Sequence, residues 1–164
     1  MADADLPQVL DLYIAQVRAL RDLPVLPGPG HAPADVLEHL HEIRSRLDRV
    51  EELLSNTLRL RAAAQRNAVI ASGEVDDAWD LAIRRLRAAP VQSGGEFTSA
   101  RERHAEANLA VLDARHAARR AVQTAHRCEE AAEVIRLAHR GLDGARADIL
   151  TVLRTLAFES HLER

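Results

Sequence analysis

The stretch VLEHLHEIRSRLDRVEELL, Val36–Leu54, decides how this chain folds. Val36, Leu40, Ile43, Leu47, Val50 and Leu54 are separated by 4, 3, 4, 3 and 4 residues, a heptad seam that Leu37, Leu53 and Leu58 widen. Charged side chains fill the remaining faces, so the segment reads as an amphipathic helix whose apolar edge needs a helical neighbour. The same register reaches Thr57, Arg61, Ala64, Ala68 and Ala71, where the seam loses bulk but helix propensity stays high. One helix is predicted over 35–72, roughly 57 Å long at ~1.5 Å per residue, which implies a rod.

On the N-terminal side, PVLPGPGHAP (Pro24–Pro33) holds four prolines and two glycines and reads as a semi-rigid linker over 24–34. Before it, an amphipathic helix is expected over 5–23 within the N-terminal segment 1–23. Asp5 is its N-cap, Pro7 lies in the first turn, and Val9, Leu10, Tyr13, Val17 and Leu20 form one stripe. This element is a candidate for docking another protein separately from a helical-bundle domain over 35–164.

On the C-terminal side, Ser72-Gly73 reads as a break, followed by a shorter helix over 74–89 through Val75, Trp79, Ala82, Ile83 and Leu86, ended by Pro90. Residues 91–98, with Gly94-Gly95, form the main turn region, and Ser99 with Glu102 is a capping box. A second long helix, 100–140, has the seam Val111, Ala114, Ala118, Ala121, Ala125, Cys128, Ala132 and Ile135. Its small residues permit close helix approach but bury little area each. Gly141 and Gly144 suggest a kink or cap before a last helix over 145–162, with Ile149, Val152, Leu153, Leu156 and Phe158 inward. The expected fold is all-α: an elongated antiparallel, coiled-coil-like hairpin of two long helices with about three shorter ones.

Composition agrees. Among 164 residues there are 30 Ala and 23 Leu but one Trp, one Tyr and two Phe, too few aromatic and β-branched side chains for a sandwich or for base-stacking modules. The net charge of -3 gives no overall attraction to phosphate polymers or anionic membranes. The single Cys128 excludes an internal disulfide, and no run of 18 apolar residues offers a membrane span. A cytoplasmic protein without membrane association is the expectation.

Catalytic chemistry finds little support. Glu38 and His41 make one ExxH, with His39 beside them, but a di-iron bundle needs two such pairs and two further Glu. No metal or other cofactor is expected. Arg120–His126 and Arg154–His161 have the Arg-to-His spacing of HEPN-type ribonucleases but lack the polar residue that follows the Arg in that superfamily. No nucleophile elbow or phosphate loop is present, so the chain is read as non-enzymatic. Two acid-free stretches, with Arg59, Arg61 and Arg66 in one and Arg115, Arg119, Arg120 and Arg127 in the other, are candidates for nucleic-acid contact. The plainer reading pairs these arginines with nearby glutamates or lays them over the Ala-rich seam.

GLDGARADILTVLRTLAFE, Gly141–Glu159, resembles the C-terminal segment of the phage recombination-mediator (UvsY-like) family through Leu142-Asp143, Arg146 and Phe158-Glu159. The likeness covers about 20 residues; the long helices here are more nearly charge-balanced and Ala-rich than such mediators would show. It implies a helical oligomer, assembled through the C-terminal helix, that helps load a recombinase onto single-stranded DNA. From the residues themselves, the leading expectation is a non-catalytic assembly protein. It would form a homo-oligomer through the heptad seam (Val36, Leu40, Ile43, Leu47, Val50, Leu54) and the Ala-rich seam (Ala118, Ala125, Ile135).

Overall fold

The computed structural model describes residues 6–22, 32–88 and 100–162, with side chains over 6–22, 32–88 and 104–158. These residues form four helices and no strand: α1 (Leu6–Arg21), α2 (Pro33–Ala88), α3 (Ala100–Ala110) and α4 (Leu112–Leu162). The fold is an all-α helical bundle, as the patterning predicts. The Asp5 cap, the 24–31 part of the linker, the Gly94-Gly95 turn, Pro90 and the Ser99/Glu102 capping box lie outside the described residues and side chains. Pro33 opens α2 two residues earlier than expected. The amides of Asp35 and Val36 donate to the Ala32 carbonyl (3.0 and 3.3 Å), and proline at the first helical position lacks only an N–H that would be orphaned.

The division into two long and three shorter helices needs correction. α2 runs unbroken through Ser72-Gly73, so the segment expected over 74–89 is its continuation. The reason is register: 64, 68 and 71 are followed by 75, 78 and 82 at the same alternation of 4 and 3, so the inward face is identical on both sides of the glycine. Gly73 is exposed, and a Cβ there would meet nothing within 4 Å. A helix-interior glycine costs only about 0.5–1 kcal/mol, which a continuous packed face outweighs.

The same holds in α4. The buried positions Ile135, Ala138, Leu142, Ala145 and Ile149 step at 3 and 4 straight past Gly141 and Gly144, which point into open space. The expected helix over 145–162 is therefore part of α4. A break falls instead at Val111, which separates α3 from α4 by a single turn residue. Val111 N donates to Ala107 O (3.3 Å) and Arg115 N to Val111 O (3.0 Å), so helical bonding brackets the interruption.

The chain divides into two compact units, Met1–Leu60 with Arg127–Arg164, and Arg61–His126. In the first, α1, the start of α2 and the end of α4 share one core. Val17, Val36, Ile43, Leu47, Val50, Leu53, Ile135, Ala138, Leu142, Ala145 and Ile149 are buried in it. Tyr13, Leu20, Leu40 and Leu54 pack against it. Complete burial of each large aliphatic side chain is worth about 1.5–3 kcal/mol, which makes this seam the main source of stability. Thr57, a fully buried polar residue on the seam, satisfies its hydroxyl by donating to the Leu53 carbonyl at 2.8 Å.

α1 is fastened as well as packed. Arg46 Nη1 donates to the carbonyls of Leu20 (3.3 Å) and Asp22 (2.8 Å), while its other arm pairs with Glu42. A cation is thereby held against the negative end of the α1 dipole. The stripe of Tyr13, Val17 and Leu20 is used inside this unit rather than held free for another protein.

The second unit is built differently. Its core cluster is Ala82, Ala107 and Val111, with Ala78, Trp79, Ile83 and Leu86 packed partly against it. Ala64 is its only other buried apolar residue among those described. Small side chains fill the inside, whereas Ala114, Ala118, Ala121 and Ala125 of the expected seam are half-buried, and the area removed from water is correspondingly small.

Candidate functional site

The second unit carries the features that internal packing leaves over. Val69 and Ile70 on α2 are 73% and 59% exposed, and Leu109 on α3 is 72% exposed. Leu81, Leu112 and Val122 are also exposed. Among the described residues, more large apolar side chains of this unit face solvent than are buried in it, the inverse of the first unit.

The same unit holds a side-chain cluster that spans three helices. The Trp79 ring lies 5.0 Å, centroid to centroid, from the His104 imidazole at a 39° tilt. The Arg115 guanidinium carbon sits 5.7 Å from the Trp79 ring centroid. Arg115 Nη1 also donates to Asn108 Oδ1 (2.6 Å), and Asn108 Nδ2 donates to the His104 carbonyl (2.9 Å). Trp79 is core in part, as its size suggests, but it belongs to α2 itself and not to a separate short helix. The partnership with His104 and Arg115 was hidden from sequence because the three residues are distant along the chain.

The seven arginines singled out by sequence divide between the units. Arg59 and Arg127 belong to the first; Arg61, Arg66, Arg115, Arg119 and Arg120 belong to the second. Arg61 is half-buried, and Arg115 is committed to Trp79 and Asn108. Arg66, Arg119 and Arg120 are exposed and form no ion pair with any described residue.

The packing seams are equally well placed. Val36, Ile43, Leu47, Val50 and Ile135 are buried, and Leu40 and Leu54 half-buried, in the first unit's own core. Ala118 and Ala125 are half-buried in the second unit. The strongest apolar seam is thus consumed within one chain.

The chemical candidates do not gather into a reacting centre. His39 Nδ1 bonds the Asp35 carbonyl at 2.8 Å, and no group of three His, Cys, Asp or Glu among the described residues could hold a metal ion. Arg120 and His126 are exposed on α4, six residues and so roughly 120° apart around the helix. The His161 side chain lies outside the described set. Cys128 is fully buried, and burial pushes its thiol pKa up, opposite to the activation a nucleophile needs. In the segment Gly141–Glu159, Leu142, Ala145 and Ile149 are core, Arg146 lies 3.8 Å from Asp143, and Phe158 is exposed. No described helix is long and apolar enough to cross a membrane. Compared with protein-family models, with curated proteins and with solved structures, the chain gives no match.

Proposed function

We propose that the protein is a non-catalytic helical assembly protein that self-associates, with the Arg61–His126 unit as the contact region. One observation carries the reading. This unit buries only Ala64, Ala82, Ala107 and Val111 among its described apolar residues, while Val69, Ile70, Leu81, Leu109, Leu112 and Val122 remain exposed. Exposed apolar side chains of this size gain about 25 cal/mol per Å² when a partner covers them, and a second copy offers the same surface. The test is mass in solution by sedimentation velocity across about 1–100 µM, the range where modest interfaces associate. A mass that rises with concentration supports the reading; a monomer throughout removes it.

A second reading is favoured by Arg66, Arg119 and Arg120, three exposed guanidinium groups without an ion-pair partner among the described residues, on a chain of net charge -3. Such groups suit salt-sensitive contact with phosphates, as a single-stranded-DNA-binding, recombination-mediator-like accessory protein would need. Fluorescence anisotropy with a labelled single-stranded oligonucleotide tests it. Binding should weaken steeply with salt and with R119A/R120A, and no binding at low salt eliminates it.

A further inference from the structure

The outer face of α2 within the second unit has a second heptad. Ala62, Arg66, Val69, Gly73, Asp76 and Asp80 are all exposed and follow one another at 4, 3, 4, 3 and 4 residues. Each lies two positions, or about 200°, from the inward series at 64, 68, 71, 75, 78 and 82, so this stripe faces away from the unit's own core. It is basic at one end, small and apolar in the middle and acidic at the other. Neither Arg66 nor Asp76 nor Asp80 has an ion-pair partner among the described residues.

We infer that this face pairs with the same face of a second copy, the two α2 helices running antiparallel about a two-fold axis at the level of Ala71. The inference rests on the self-association proposed above and assigns it a surface and a direction. Charge decides the direction: a parallel pair would set Arg66 on Arg66 and acid on acid. An antiparallel pair sets Arg66 of each copy against Asp76 of the other, twice by symmetry. The same register brings Ala62 opposite Asp80, Ile70 opposite Ser72 and Val69 opposite Gly73.

Gly73 then has a use that the single chain does not supply. A Cβ at this position meets nothing within 4 Å, so no contact inside the chain demands glycine, although glycine weakens a helix interior. A second copy's Val69, 73% exposed here, seats over the bare backbone of Gly73, and the lack of a side chain lets the two helices approach closely.

Charge reversal in the full-length chain tests the pairing, with dimerisation read by sedimentation equilibrium and folding checked by circular dichroism. Arg66→Asp should raise the dimer dissociation constant about tenfold, since two attractive pairs become repulsive, and Asp76→Arg should do the same. The double variant R66D/D76R should return to within about threefold of the parent, because the pairs are restored with exchanged signs. In a Cys128→Ala background, mixed V69C and G73C chains should oxidise to a covalent dimer faster than either alone. A parent chain that stays monomeric overturns this inference together with the self-association reading. A parent that dimerises while R66D and D76R change nothing, or while the double variant sums the two losses, overturns this interface alone.

Discussion

The guanidinium carbon of Arg115 sits 5.7 Å from the centroid of the Trp79 ring, joining the start of α4 to α2 across the Val111 interruption. Arg115 also donates to Asn108 on α3, so one side chain ties together both sides of the break. In a unit whose core is mostly alanine, this cluster supplies much of what fixes the helices. Trp79→Ala should destabilise the unit by about 2–3 kcal/mol, below the full tryptophan cost because the ring is half-buried. Arg115→Ala should cost about 1 kcal/mol, from one cation–π contact and one charge-assisted hydrogen bond. Trp79 is the only tryptophan, so urea unfolding followed by its fluorescence reads the Arg115 effect directly. An Arg115→Ala transition at the parental midpoint would show the contact to be worthless.

Glu51 and His139 make a polar contact between α2 and α4, with His139 Nε2 3.2 Å from Glu51 Oε1. Glu51 is 64% exposed and His139 30% exposed, and solvent at the Glu51 carboxylate screens such a pair to about 0–1 kcal/mol. Leu53 and Ile135 are 2% and 0% exposed in the same unit. Leu53→Ala or Ile135→Ala should cost about 2–5 kcal/mol and Glu51→Gln well under 1. Chemical denaturation of the three variants establishes the order; a Glu51→Gln loss equal to the core losses would reverse this account of what holds the unit.

Arg46 is the residue that fastens the C-terminal end of α1, through the carbonyls of Leu20 and Asp22. Arg46→Met keeps the aliphatic stem and removes the donors, so packing is spared while the last turn of α1 loses its cap. The expected cost is about 1 kcal/mol, and the amides of Arg18–Asp22 should lose hydrogen-exchange protection before the rest of the unit does. Uniform loss of protection across α1, α2 and α4 would mean that Arg46 acts on the whole core.

Gly141 and Gly144 show how the fold was legible and where it was not. The seam from Val36 to Leu54 is written in large side chains at unambiguous spacing, and it emerges as the core of the first unit. The glycines and Ser72 carried a local signal for breaks that the longer register overrode, because an exposed glycine weakens a helix only slightly while a shared core holds both flanks. The interruption at Val111 left no comparable mark, since valine is a strong apolar residue at a seam position. The Trp79 cluster and the leftover outer heptad of α2 were illegible for another reason: each requires knowing which helix faces are already occupied. If the glycines serve no backbone need, Gly141→Ala and Gly144→Ala should each stabilise by about 0.5–1 kcal/mol and raise the melting temperature by roughly 1–4 °C. Destabilisation in calorimetry would reveal a constraint that the open space around them does not show.

Cys128 gives the pH dependence. It is fully buried in the first unit, and desolvation raises its thiol pKa above the ordinary thiol range. Because the native thiol holds its proton where the unfolded thiol has released it, the unfolded state binds fewer protons at alkaline pH. The contribution is therefore fully present below the unfolded thiol's pKa of about 8.5 and is lost as pH rises from there through the native value. The informative quantity is the difference between the parent and Cys128→Ala. That variant should lose about 1 kcal/mol at neutral pH from the missing sulfur, and the gap should narrow steadily above about pH 8.5. Thiol labelling gives an independent reading: a buried thiol held protonated should react with a disulfide reagent at a rate set by opening of the unit, far slower than in urea. A gap constant across the alkaline range, with labelling as fast in the native chain as in the unfolded one, would place Cys128 in contact with water.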